Sequence, residues 1–126
     1  MQKVDYIVEN TVRGNIVIRI FKREMTKRDI VESFNHMIST GMLSKDSIGL
    51  ITDINNSTLE LDMEDLEKMI VYISNDEILS NIKIAVVGNC PNKILFPTLA
   101  NFKLGDKFLP FGSIEDAKDW IIDNID

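Results

Sequence analysis

Apolar residues alternate with polar ones at the N-terminal end of the chain, and this period of two predicts β-structure. Residues 16–20 place an isoleucine at every second position, which predicts a half-buried strand. Residues 4–9 have the same period. The Gly-containing segment 13–15 between them is a turn signal, so the two strands are predicted to pair as an antiparallel hairpin.

Four later segments have the helical period of 3.6 residues, beginning near residues 27, 63, 94 and 114. Pro97 is compatible with the third only within its first turn. The other three begin with a side-chain cap and a carboxylate three residues later, which is the pattern of a capping box. The capping pairs are Thr26 with Asp29, Asp62 with Asp65, and Ser113 with Asp116.

Two apolar runs, 48–54 and 82–87, predict buried strands, and the second is apolar enough to be covered on both faces. Residues 108–111 predict an edge strand, because Pro110 cannot donate to a ladder. The element order is then β-β-α-β-α-β-α-β-α, an α/β fold with a mixed sheet of hairpin and parallel strands. Residues 1–126 are interpreted as one domain, with Ile84 and Val86 buried under helices that carry Phe34, Met69, Ile70 and Ile121.

Composition narrows the classes of protein. With 126 residues, 44% apolar and 27% charged, the chain is of ordinary globular type. One cysteine and one histidine exclude an internal disulfide and a Cys/His zinc cluster. No run has the ~20 apolar residues of a membrane span, and no signal peptide is evident, so we expect a cytoplasmic protein. A net charge of −6 argues against nucleic acid. Only the basic run 22–28 offers positive charge to an acidic partner or a phosphate.

Candidate binding residues follow the two buried strands, where ligands of open α/β sheets bind. A second candidate is an apolar pocket near the predicted third helix. We find no catalytic set, and the carboxylates match no calcium-loop spacing, so we predict no metal and no cofactor. The loop candidates are Asp53, Asn55, Asn56, Ser57, Asn89 and Cys90, and the pocket candidates are Leu95, Leu99, Phe102, Phe108 and Phe111.

Three stretches, 50–53, 84–88 and 111–121, resemble the SpoIIAA-like, or STAS, superfamily of anti-sigma-factor antagonists. The last stretch, Phe-Gly-Ser-Ile-Glu-Asp-Ala-Lys-Asp-Trp-Ile, is similar to the ending of its SpoIIAA-like branch. The resemblance implies helices mostly on one face of the sheet and a role in protein–protein regulation. Phosphorylatable members carry an Asp-Ser-Ser-Gly-like segment at the second helix. The matching segment here, 62–65, is Asp-Met-Glu-Asp and has no hydroxyl.

The first functional hypothesis is therefore a non-enzymatic regulatory or protein-interaction domain, with an unidentified protein partner or a homodimer. The alternative is a carrier or sensor of a small apolar ligand, for which a cavity of several hundred Å³ is expected. Trp120 lies at the border of the apolar stripe of the last helix. It is interpreted either as core or as an interface anchor.

Overall fold

The computed structural model describes residues 3–89 and 107–123, which form a mixed sheet with helices on both faces. The helices are α1 (Lys27–Ser39), α2 (Met63–Asn75) and α3 (Ile114–Asp123), with a 3-10 turn at Leu79–Asn81. The strands are β1 (Val4–Thr11), β2 (Gly14–Phe21), β3 (Met25–Thr26), β4 (Ser47–Asp53), β5 (Leu59–Glu60), β6 (Lys83–Val87) and β7 (Phe108–Phe111).

Five strands form the main sheet in the order β1-β2-β4-β6-β7. β1 pairs antiparallel with β2, and each later neighbour pairs in parallel. The short strands β3 and β5 pair with each other in parallel. The predicted hairpin, the parallel strands and the edge position of residues 108–111 are therefore confirmed.

The β1–β2 turn is tighter than the sequence predicted. Thr11 pairs with Gly14, so the turn consists of Val12 and Arg13 alone. Gly14 has a φ of 143°, and a Cβ there would overlap the carbonyl oxygen of Asp46. Glycine is required at this position both for its backbone conformation and for the close approach of the next loop.

Two apolar clusters cover the two faces of the sheet. On one face, α1 and α2 pack on the sheet through Phe34, Met37, Met69 and Ile73. On the other face, α3 packs through Ala117 and Ile121. β6 contributes side chains to both clusters, because Ile84 and Val86 belong to the first, whereas Ala85 and Val87 belong to the second.

Two expectations are corrected, and a third is not tested. Ile121 does not share the face of Ile84 and Val86, because α3 packs on the opposite side of the sheet. β2 is not half-buried, since Ile16–Arg19 and Phe21 are all buried and helices cover both of its faces. Of the four predicted α-helices, three are present among the described residues, and the predicted helix at 94–102 lies outside them.

Candidate functional site

The structure brings together the polar loops that follow β4 and β6. The amide of Asn55 donates to Oδ1 of Asp53 at 2.9 Å, and the amide of Asn89 donates to Oδ1 of Asn55 at 3.1 Å. The buried Ser57 hydroxyl donates to the carbonyl of Arg23 at 2.6 Å, which ties this loop to the β2–β3 connection. These bonds hold backbone segments in place, and Asn56 is exposed beside them.

The predicted apolar pocket is described only in part, because Leu95, Leu99 and Phe102, like Cys90 of the loop set, lie outside the described residues. The two described members face different sides. Phe108 is buried in the cluster under α1 and α2, whereas Phe111 packs against the α3 cluster. The structure therefore does not bring these two rings to one wall.

Trp120 is half-buried at the border of the α3 cluster. The centre of its ring lies 5.3 Å from the centre of the Phe111 ring. The Lys83 ammonium also lies 5.3 Å from the centre of the Trp120 ring. The residue thus occupies the boundary position that helical geometry indicated. Lys83 Nζ also donates to the carbonyl of Trp120 at 3.3 Å, which fixes the lysine over the end of α3.

A buried arginine, Arg19, lies between the sheet and the α1–α2 layer with 3% of its surface exposed. Its Nε donates to the Thr52 hydroxyl on β4 at 2.8 Å, and its Nη1 donates to the Ser33 hydroxyl on α1 at 3.1 Å. The guanidinium carbon lies 4.8 Å from the centre of the Phe21 ring and 4.1 Å from that of Phe34. Hydroxyls and aromatic faces therefore surround the cation.

Arg19 forms no ion pair among residues 3–89 and 107–123. Burial lowers the pKa of its guanidinium to about 9, and the nearby hydroxyls of Tyr6 and Tyr72 act in the opposite direction. The side chain is still a cation at neutral pH. The cost of burying this charge is therefore offset by hydrogen bonds and contacts with aromatic ring faces. Both kinds of contact depend on the positions of the surrounding side chains.

A polar chain leads from Arg19 to the surface. The Ser33 hydroxyl shares a hydrogen bond of 2.9 Å with the Tyr6 hydroxyl, and the Tyr6 ring lies 5.1 Å from the ring of His36. His36 is exposed on α1. Burial is the main cause that raises the pKa of Tyr72, whose hydroxyl donates to Asn35 at 2.7 Å.

The cavity beside Arg19 is small. Its volume is about 20 Å³, and the residues around it come from the sheet, α1 and α2. That volume accommodates about one water molecule.

An open groove lies between the exposed sides of α1 and α2, with a volume of about 450 Å³. Tyr72 joins the groove to the buried arginine, because its ring packs 5.8 Å from the Phe34 ring that contacts the guanidinium. We call it the α1–α2 groove. Its lining residues are Lys27, Arg28, Val31, Glu32, Lys68, Met69 and Tyr72.

Cations outnumber carboxylates in the lining of the α1–α2 groove, although the chain carries a net charge of −6. Three cations and one carboxylate line it. Arg28 pairs with Glu32 at 3.1 Å, and Lys68 pairs with Glu64 at 3.1 Å. Both pairs are exposed, and exposed pairs stabilise by only about 0–1 kcal/mol, so a partner's carboxylates can replace them. Val31 and Tyr72, both half-buried, supply the apolar surface between these charges, and Met69 beneath them is buried.

The polar side chains at the N-terminus of α2 cap the helix. The amide of Asp65 donates to Oδ1 of Asp62 at 2.8 Å, and the amide of Asp62 donates to Oδ2 of Asp65 at 3.2 Å. This reciprocal pair is the predicted capping box. Both carboxylates are thus engaged in capping α2.

Within 3–89 and 107–123, no group of three or more histidine, cysteine or acidic side chains is arranged to hold a metal ion. No helix within the same ranges has both the length and the apolar character to cross a membrane.

No protein-family model and no curated protein matches the chain. Among solved structures, it is similar to an uncharacterized protein of the DUF3478 family from Shewanella loihica PV-4, which has a SpoIIAA-like fold. The TM-score is 0.65 at 18% identity, over 96% of this chain and 95% of that one. This chain has a SpoIIAA-like fold. The resemblance seen in the sequence is thereby confirmed at the level of the fold, and two of the three described helices lie on one face of the sheet as that resemblance implied.

The buried arginine of this SpoIIAA-like fold was missed by the sequence analysis, although a signal was present. Val17 and Phe21 are two residues away on either side of Arg19, while isoleucine occupies the other face of the strand. A strand that is apolar on both faces is buried on both, so an arginine within it must be buried too. The groove had only a weak signal, the basic run at 22–28.

Proposed function

We propose that this protein is a non-enzymatic regulatory domain of the cytoplasm that binds a protein partner in the α1–α2 groove. The observation that carries the proposal is the apolar surface of Val31 and Tyr72, flanked by cations, on a chain of net charge −6. Charge of one sign around an apolar strip selects a ligand with the complementary pattern. The partner is an amphipathic helix or extended segment with apolar residues between carboxylates.

The proposal differs from kinase-driven partner switching, because the capping carboxylates Asp62 and Asp65 occupy the N-terminus of α2. Added phosphate there would meet like charge. Regulation is therefore expected to follow partner concentration instead of phosphorylation at this helix. The carrier hypothesis has less support from the described residues, where the cavity beside Arg19 has room for about one water molecule.

Site-specific photo-crosslinking in the source cells tests the groove. A benzophenone amino acid at Val31 lies inside the groove, whereas the same group at Ser74 lies on the exposed side of α2. We expect a discrete adduct at Val31 only, and mass spectrometry should place the link in an acidic amphipathic segment.

Charge reversal supplies the specificity control. Lys27→Glu combined with Lys68→Glu should abolish the Val31 adduct by removing two of the three groove cations. Lys45→Glu, an exposed change outside the groove, should leave it intact. An adduct of equal yield at Ser74, a linked segment without carboxylates, or no adduct at Val31 would each refute the proposal.

A further inference from the structure

Among the described residues, the strand β1 forms one edge of the main sheet, and it has few of the features that usually protect an edge, since its charged residues are limited to Asp5 and Glu9. It is eight residues long and contains no proline, lysine or arginine. The opposite edge strand, β7, has four residues and includes Pro110. Native proteins shorten edges, charge them or place proline in them, because an open edge can pair with another strand.

Exposed apolar side chains are concentrated on the same hairpin. Ile7 is 45% exposed, Val8 is 44% exposed, and Val12 in the turn is fully exposed at 104%. Among the described residues, these three are half of the six large hydrophobic side chains that are exposed. Val8 lies on the α1–α2 side of the sheet and Ile7 on the α3 side, as their partners Val17 and Ile18 show.

The register of the hairpin determines which backbone groups of β1 point outward. The amide of Lys22 donates to the carbonyl of Lys3 at 2.8 Å, so these two residues form a hydrogen-bonded pair of the antiparallel ladder. Hydrogen-bonded and non-hydrogen-bonded pairs alternate along such a ladder. The amides and carbonyls of Val4, Tyr6, Val8 and Asn10 therefore point away from β2, towards the open edge.

We propose that β1 pairs antiparallel with β1 of a second copy of this chain, with the two-fold axis at Val8. Backbone hydrogen bonds can form between the two copies only if residues whose amides and carbonyls point outward face each other. A two-fold axis at Val8 meets that condition. It sets Val8 against Val8, Tyr6 against Asn10, and Asp5 against Thr11. Val4 then faces Val12, the most exposed of the three apolar residues.

Electrostatics favours this register over the one shifted to Ile7. Pairing centred on Ile7 sets Asp5 opposite Glu9, and like charges directly opposite are destabilising. Pairing centred on Val8 sets no like charges opposite each other. Each carboxylate of β1 is also paired within its own chain, Asp5 with Lys22 at 3.0 Å and Glu9 with Lys118 at 2.9 Å. The α1–α2 groove takes no part in this contact, so the dimer is independent of the function proposed above.

Sedimentation velocity tests the dimer. The full chain should sediment at twice the monomer mass at about 100 μM and dissociate on dilution, because dimer population follows mass action. Val8→Lys should raise the dissociation constant at least about tenfold, since it puts two ammonium groups opposite each other at the axis. Val71→Lys is the matched control, at an exposed valine on α2, and should not change the dissociation constant. Far-UV circular dichroism checks that both variants fold.

Disulfide trapping tests the register in a Cys90→Ser background. Val8→Cys should form an interchain disulfide under mild oxidation, because facing residues lie about 5.5 Å apart at Cα, within disulfide range. Asn10→Cys should not, because its counterpart in the partner faces Tyr6. A monomer at every concentration, an unchanged dimer in Val8→Lys, or equal trapping at Asn10 would overturn the proposal.

Discussion

Substitutions of Arg19 separate the opposing free-energy contributions at the buried guanidinium. Hydrogen bonds from a charged group, here to Thr52 and Ser33, stabilise by about 1.5–3 kcal/mol each. Contacts with an aromatic face, here Phe21 and Phe34, add about 0.5–2 kcal/mol each. Against them stands the cost of burying an ion, which is of the order of several kcal/mol.

These contributions are of similar size, so Arg19→Met should change the free energy of unfolding by less than about 2 kcal/mol, because it fills the space without a charge. Arg19→Ala should be less stable than Arg19→Met by about 2–5 kcal/mol, since it enlarges the cavity beside this residue. Arg19→Lys should lose about 3 kcal/mol, because it keeps the buried charge but cannot donate to both hydroxyls or lie flat on the rings.

Urea unfolding followed by far-UV circular dichroism, with linear extrapolation, measures these differences. Arg28→Met is the control, because that side chain is 86% exposed and its replacement should change stability by no more than about 0.5 kcal/mol. If Arg19→Lys were as stable as the wild type while Arg19→Met lost more than about 4 kcal/mol, the cation would be hydrated, and the reasoning from burial would be wrong.

Three further predictions follow from particular contacts. Gly49→Ala should destabilise by about 1–3 kcal/mol in urea unfolding, because the new Cβ would lie 2.6 Å from Cδ1 of Ile121; the loss should shrink in an Ile121→Val background, and an equal loss there would argue against this contact. Asp29→Ala should cost about 1 kcal/mol at pH 7. The hydrogen bond from the Thr26 amide is the main cause that lowers the pKa of Asp29 from 3.8. The ionised carboxylate therefore stabilises the fold above pH 3.8, and this stabilisation should be lost as the pH falls through the lowered pKa. A stability difference between the wild type and Asp29→Ala that is unchanged at pH 3 would contradict it. Trp120 is half-buried, so its emission should be blue-shifted relative to the unfolded chain and independent of protein concentration. A red, readily quenched emission in the folded protein would contradict that placement.

Local features of this fold were predictable from the sequence. The caps of α1 and α2 form as expected, with Thr26 and Asp62 as N-caps, and the amide of Asp116 donates to the Ser113 hydroxyl at 3.1 Å at the start of α3. Pro110 correctly placed β7 at an edge. Each of these features depends on groups within about four residues of one another, and the sequence displays such neighbours directly.

The candidate sites depended on contacts between distant segments. Arg19 meets Ser33 and Thr52, which lie 14 and 33 residues further along the chain, and only their positions in α1 and β4 make its burial tolerable. The side of the sheet on which α3 packs was likewise not predicted, because an amphipathic stripe specifies that a helix is buried but not against which face.

The sequence by itself thus determined the positions of the five main-sheet strands and three described helices along the chain, with the starts and apolar faces of those helices, because propensity, capping and periodicity act over a few residues. Tertiary structure alone decided the rest. It joined the basic start of α1 to the apolar side of α2 as a groove, and it left β1 with an open edge. Surfaces of this kind are formed by packing between elements, and packing depends on the relative positions of segments that no local pattern encodes.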